Sequence, residues 1–394
     1  MSTTPSIGSS LTIAFYLPQF HQIPENDEWW GAGFTEWTNV RKATPQFDGH
    51  DHPRRAEFLG HYDLRTVEVM HRQAELAKLH DVDAFCFYFY WFDGRRLLER
   101  PVDNYVQSGP AFPFCLSWAN ENWTRRWDGK EHEVLMGQNY SDSTAEEIFE
   151  DFLPYLRDER YLRIDGALVL VIHRIDHIPN ASELMSSWRR LAKAHGLGDL
   201  HIIAAETRFG IEPEWYGVDA IAEFPPVGSN TLASAQLLPV KGLRPDFAGR
   251  IMSYQRMAKR FMRRRPPAFT RYRGVAPGWD NTARRGNKST IYVGHNPQSY
   301  REWLSHAREA ENDREGTGLV FINAWNEWAE GAYLEPDTSW GTAFLEATRR
   351  NAPSLAASPK LQVGAPSWAW LRSLCLAGMG SMVALLRGAG RPRT

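Results

Sequence analysis

The sequence predicts an α/β fold, a single (β/α)8 TIM-type barrel with long loops, and three observations carry that reading. Eight apolar runs of strand length recur through the first 330 residues. Helical segments lie between several of them, and such alternation marks an α/β chain. Polar and acidic residues gather at the C-terminal ends of the runs, the face on which barrels of this kind build their sites.

The first four runs are "LTIAFYLP" (11–18), "VDAFCFYFYW" (82–91), "FPFCLSWA" (112–119) and "ALVLVIHR" (167–174). The others are "HIIAAET" (201–207), "DAIAEFPP" (219–226), "GVAPGWD" (274–280) and "GLVFINAWNEW" (318–328). Most are nearly continuous, as strands buried on both faces require. The seventh carries a Pro and two Gly, which fit a strand interior poorly. Between the runs, "RTVEVMHRQAELAKLH" (65–80) has apolar residues at helical spacing. "STAEEIFEDFLPYLRDER" opens with a helix-start signature, and "SELMSSWRRLAKAHG" stops at Gly196. "NPQSYREWLSHAREAEND" precedes the eighth run. No glycine-rich dinucleotide fingerprint follows the first strand. The expected organisation is a tail over 1–10, a barrel over 11–350, a linker over 351–367 and an apolar, basic segment over 368–394.

Composition narrows the function. With 45 basic and 47 acidic side chains the net charge is −2, which gives a nucleic-acid partner no support. The chain holds 16 Trp, and several stand beside Asn, Glu and Arg, as in "SWANENWTRRWDG". Flat rings next to hydrogen-bonding groups suit sugars, which have apolar faces and polar edges. Cys86 and Cys115 fall inside apolar runs, and with Cys375 they form no zinc or disulfide pattern. A cytoplasmic setting is expected, since "MSTTPSIGSS" has no basic start or apolar core of a secretory signal. Residues 368–386 are mostly apolar, but Arg372 interrupts them. They read as an interfacial helix at the inner face of the membrane, as a helix packed on the barrel, or as a disordered tail.

The acids enter at the strand ends. Asn120 and Glu121 follow the third run, His173 closes the fourth, Glu206 the fifth, Glu223 lies in the sixth and Asp280 ends the seventh. The eighth runs into "NAWNEWAEGAYLEPD" (323–337), where Glu327 and Glu330 bracket a Trp. Glycosidic-bond chemistry needs one carboxylic acid at the leaving oxygen and a second carboxylate as base or nucleophile. Glu327 and Glu330 are the catalytic pair if the chain turns helically; if it stays extended they point to opposite faces. Trp325, Asn326 and Trp328 are expected as walls and hydrogen-bonders. Trp37, Trp91, Trp118, Trp123, Trp279 and Asn281 complete the expected sugar-binding set, with Glu335 and Asp337 structural or at the rim. "DVD" (81–83) precedes a strand and so falls at the stability end of the barrel. His50, His52 and His61 match no metal spacing and read as a solvated loop, and "QRMAKRFMRRRPP" (255–267) as a solvated helix face. No metal and no cofactor are expected.

Four stretches carry a resemblance: "AFYLPQFHQIPENDEWWGAGFTEWTNVRKATPQFDGHDHPR", "FCLSWANENWTRRWDG", "PGWDNTARR" and "FINAWNEWAEGAYLEPD". Together they resemble the WbsX-like family, also described as glycoside hydrolase family 99-like, from about Leu11 to Ala347. The resemblance implies a (β/α)8 barrel and a role in surface polysaccharide metabolism of the O-antigen or capsule kind. Members are usually called glycosyltransferases, and more distant hydrolase relatives are retaining endo-α-mannosidases with a Glu-Trp-x-Glu arrangement that "EWAE" reproduces. By that likeness Glu327 is the base that helps the substrate 2-hydroxyl attack its own anomeric carbon, and Glu330 is the acid and then base at the leaving oxygen. Members usually carry Tyr where this chain has His173. The expected partner is an oligo- or polysaccharide, joined by a sugar donor if the reaction is transfer. A non-catalytic glycan-binding barrel is the other reading.

Overall fold

The computed structural model describes residues 10–56, 58–125, 130–140, 144–352 and 361–387. Eight parallel strands follow one another around a closed barrel: β1 (Leu11–Tyr16), β2 (Ala84–Phe92), β3 (Phe114–Trp118), β4 (Ala167–Ile172), β5 (Leu200–Ala205), β6 (Ala220–Ala222), β7 (Arg271–Val275) and β8 (Leu319–Ile322). Closure is made at β1, where Ile13 stands opposite Phe321 of β8 on one side and Ala84 of β2 on the other. All eight expected strands are present. Their side chains are buried almost throughout, because helices cover the outside and layered side chains fill the inside.

The covering helices are α1 (Glu68–Leu79), α2 (Arg100–Ser108), α3 (Thr144–Leu156), α4 (Ala181–Ala194), α5 (Tyr254–Met262), α6 (Pro297–Asn312) and α7 (Ala343–Thr348). The start of α6 shows the local logic. The Asn296 side chain accepts the Ser299 N–H at 2.9 Å and Pro297 fills a position with no N–H to satisfy. Between β5 and β6 only a 3-10 turn, Pro213–Trp215, makes the crossover.

Two boundaries differ from the sequence reading. β7 starts earlier than expected, and residues 276–280 leave the sheet because Pro277 and Gly278 cannot continue the ladder. Gly274 in β7 is required by close approach: a Cβ there would stand 2.1 Å from the Glu223 carbonyl oxygen. Asp83 of the "DVD" stretch lies at the N-terminal rim, where its carboxylate accepts the Thr12 N–H at 2.7 Å and pairs with Arg350.

The loops after β6 and β7 form an annex to the barrel. Arg250–Ser253 pairs in parallel with Thr290–Val293, and Val240, Phe247 and Ile251 make a small core beneath. The last helix, α8 (Trp368–Arg387), packs on this annex. The expected linker is partly tied down as well, for Val363 pairs with Val240 and Gly364 N–H bonds the Pro239 carbonyl at 2.9 Å. Residues 353–360 of that linker and 388–394 of the terminal segment lie outside the described residues.

Candidate active site

Beyond β8 the chain turns sharply. Asn326 and Glu327 form a short antiparallel bridge with Ala332 and Tyr333, and Trp328–Glu330 make one 3-10 turn closed by Gly331 at φ +60°. Gly331 is demanded twice over, since a Cβ would also lie 2.9 Å from the Asp280 Cβ. The turn is clamped from outside. Asn326 exchanges two hydrogen bonds with the Leu17 backbone, at 2.7 and 3.0 Å, and Asp280 N–H donates to the Glu330 carbonyl at 2.6 Å.

This turn answers the question the sequence left open. Both glutamates face one guanidinium, that of Arg284: Nη1 reaches Glu330 at 2.5 Å and Nη2 reaches Glu327 at 3.1 Å. Nη2 also bonds Glu36, fully buried behind them, at 3.2 Å. Sharing one guanidinium keeps the two carboxylates close together, inside the roughly 10 Å beyond which paired acids cannot act on one glycosidic bond.

Both glutamates line a cavity of about 440 Å³ at the C-terminal end of the barrel. Trp30, Tyr88, Tyr90, Trp123 and Trp279 supply ring walls, and Glu121, Asn281, His173, Arg174 and Arg285 supply polar groups. Burial raises the Glu327 carboxyl; Arg284 opposes this, but Glu330 and Glu36 add to it and the group is pushed up to about 8. Burial works against the charge of Arg284 too, yet the three acids hold it firmly protonated. The His173 ring stands edge-on to Tyr88 and Phe224, and burial lowers its pKa, which favours the neutral imidazole.

Of the residues expected at the site, Glu121, Trp123, His173, Trp279, Asn281, Glu327 and Glu330 stand on the cavity. The others do not. Trp325 and Trp328 turn inward, and their indole N–H groups donate to the buried Glu335 at 3.0 and 2.6 Å. Trp37 packs against Trp328 with its ring tilted at 54° and donates to the Tyr62 carbonyl. Trp91 donates to Asp151 and Trp118 to the Trp91 carbonyl, both inside the core. Asn326 is the clamp described above. Asn120 is buried and brackets the Arg174 backbone with two bonds, at 2.7 and 2.8 Å, thereby setting the Arg174–Glu121 ion pair at the cavity edge.

Three acids placed at strand ends are likewise structural. Glu206 makes a two-point pair with Arg264, at 2.5 and 2.9 Å. Glu223 sits among Arg264, Arg271 and Arg273 and accepts the Gly274 N–H. Asp280 is gripped by His50 and His52, each at 2.7 Å, and by Arg54 at 3.3 Å. Burial alone would raise the Asp280 carboxyl, but the two histidines hold it well below the usual range. His50 and His52 are therefore not solvated, as the spacing suggested; they form an internal clasp. The His50, His52 and Asp280 ligand atoms lie within 4.8 Å of one another, so a metal is worth testing. His50 Nδ1 accepts the Gln46 N–H at 3.0 Å, which leaves the ring hydrogen on Nε2 and no lone pair there for an ion. The cluster is a hydrogen-bonded clasp.

The sequence reading missed Arg284, Glu36, Tyr88 and Tyr90. Arg284 and Glu36 stood inside two of the motifs quoted, but an Arg or a Glu next to a helix start gives no sign of where it points.

The family model for "Glycosyltransferase WbsX" matches residues 12–348. The chain belongs to the WbsX glycosyltransferase family. Among curated proteins, WxcX of Xanthomonas campestris pv. campestris is 42% identical over 375 residues, covering 92% of this chain and 53% of WxcX. The chain thus spans about half the length of the curated relatives it matches. A solved "Glycoside hydrolase-like protein" superposes with a TM-score of 0.54 at 14% identity, over 88% of this chain and 97% of the other. The GH99 endo-alpha-mannosidase from Bacteroides thetaiotaomicron does so with a TM-score of 0.51 at 14% identity, over 96% and 98%. At that identity the superpositions show a shared fold, and this WbsX-family barrel is built as theirs are.

Proposed function

We propose that this chain makes or breaks a glycosidic bond in a cell-surface polysaccharide of the O-antigen or capsule kind, with Glu327 and Glu330 as its paired carboxylates. One observation carries the reading: a single guanidinium, Arg284, gathers both groups onto the wall of an aromatic-lined cavity at the C-terminal end of the barrel. Family membership supports the carbohydrate class.

In this reading ring walls stack the apolar faces of the sugar, and Glu121, Asn281 and the arginines meet its hydroxyls. Glu330, the more accessible acid, gives its proton to the leaving oxygen as the C1–O bond breaks. Glu327 takes the proton of the 2-hydroxyl, whose oxygen closes on C1. A conjugate acid titrating near 8 makes Glu327 a stronger base than an ordinary carboxylate, which suits that step. An acceptor hydroxyl, deprotonated by Glu330, then opens the small ring while Glu327 returns its proton. Water as acceptor gives hydrolysis and a sugar hydroxyl gives transfer, with the first half-reaction shared.

The test is to incubate the protein with α-mannan fragments and with nucleotide-sugars plus acceptor glycans, and to resolve the products by mass. New glycans or cleaved fragments that vanish in Glu330→Gln support the reading. Products unchanged in that variant would refute it.

A further inference from the structure

The geometry points to α8 and the loop beside it as a surface that lies on an anionic lipid bilayer. This inference stands apart from the glycan chemistry and rests on the way α8 distributes its side chains.

Facing the barrel, the most deeply buried positions of α8 are small, with Trp370 and Leu374 half-buried beside them. Ala369, Ser373 and Ala377 are buried, and a Cβ on Gly380 would strike the Asn230 carbonyl oxygen at 2.1 Å. Polar contacts help fix the helix: Ser373 Oγ accepts the Ile251 N–H at 2.7 Å and Ser381 Oγ accepts the Leu232 N–H at 3.0 Å. Facing outward, it is large and apolar. Trp368 is 84% exposed and Met382 66%, with Leu371, Met379 and Val383 on the same side. A helix serving only to cover the barrel would present the reverse arrangement. The neighbouring loop extends the patch through Leu232, Leu237 and Leu238, and Val363 adjoins it across its pairing with Val240. Most of the large apolar side chains exposed among the described residues therefore gather on this one flank.

Charge selects the occupant. Residues 351–394 contain Lys360, Arg372, Arg387, Arg391 and Arg393 and no Asp or Glu, in a chain whose net charge is −2. The adjoining loop adds Lys241, Arg244 and Arg250 against Asp246. An apolar face with a Trp at one end, in chain segments whose charges are predominantly basic, matches an anionic membrane surface. No helix among the described residues is long and apolar enough to cross a membrane, so α8 lies in the plane of the interface. Its seat on the loops after β6 and β7 puts that plane at the end of the barrel that holds the cavity, where a lipid-borne glycan would be within reach.

Vesicle flotation of the full chain tests this, using phosphatidylcholine vesicles with and without phosphatidylglycerol. The protein is expected to float with the anionic vesicles, with at least about tenfold weaker binding to neutral ones and weaker binding at high salt. Met379→Glu with Met382→Glu, both exposed and outside the core, should reduce binding at least about tenfold while leaving the thermal midpoint unchanged. Absence of wild-type binding to anionic vesicles, or equal binding by the double variant, overturns the inference. So does a concentration-dependent dimer in sedimentation that the double variant abolishes without any vesicle binding, since the face would then belong to a second copy.

Discussion

Arg284 is the residue on which the site turns, because it meets Glu36, Glu327 and Glu330 with one charge. If Glu327 works as a base its protonation state governs the rate, so the kcat/KM profile should carry a limb near pH 8. Glu36→Gln removes an acid that raises Glu327 and frees Arg284 to hold it, so the limb should move to lower pH. Arg284→Met removes the opposing cation, and the limb should move to higher pH with a fall in rate. A pH–rate profile in which the two variants shift the limb the same way would contradict this electrostatic account. The residue scale is also where the sequence was least legible. Trp325, Trp328 and Trp91 stand beside polar neighbours, as sugar platforms do, yet their N–H groups meet carboxylates of the protein itself, Glu335 and Asp151. A Trp whose polar edge is satisfied inside looks the same in sequence as one that is satisfied by a ligand.

At the scale of the element, the turn from Asn326 to Gly331 aims the pair, and the acids around it brace it. Glu335 accepts from Tyr62, Gln73, Trp325 and Trp328, and burial pushes it up to about 7 against those four bonds. Glu335→Gln sets an amide donor against donors and should cost about 1–3 kcal/mol, read from urea unfolding. Gly331→Ala combines positive φ with a clash at Asp280 and should cost about 1–3 kcal/mol, with lost activity even where the fold survives. The eight strands were legible because burial on both faces leaves an unbroken apolar run. β7 was displaced in the reading because "APGWD" continues the apolar letters after the ladder has ended. Glu206, Glu223 and Asp280 were correctly placed near strand ends but wrongly given to the substrate. The groups that absorb them, such as the Arg264 and Arg273 guanidiniums or the His50 and His52 rings, come from other parts of the chain and leave no local trace.

Across the whole molecule, the barrel collects its unusual groups at one end and leaves an electrostatic signature. Glu327 and Glu335 titrate near 8 and 7 in the folded chain, against 4.5 for an ordinary glutamate. Groups raised in this way stabilise the fold fully below their unfolded pKa, and that contribution is lost as pH rises through the folded values. Stability from these two acids should therefore decline from about pH 4.5 to about pH 8, and the decline should be shallower in Glu327→Gln, as measured by thermal unfolding across pH. The C-terminal helix was legible as apolar and basic, while its orientation, with Trp368, Met379 and Met382 outward and Ala369, Ser373 and Ala377 inward, required the fold.

The central claim is that Glu330 and Glu327 divide the acid and base work between them. Turnover of a natural glycan and of an aryl glycoside with an activated leaving group, compared in Glu330→Gln and Glu327→Gln, tests it most directly. Glu330→Gln should lose about 10²–10⁴-fold on the natural bond yet keep formation of the first intermediate from the activated one, which needs no acid. Glu327→Gln should lose both. Equal losses on both substrates in Glu330→Gln, or near-normal turnover in either variant, would contradict the assignment.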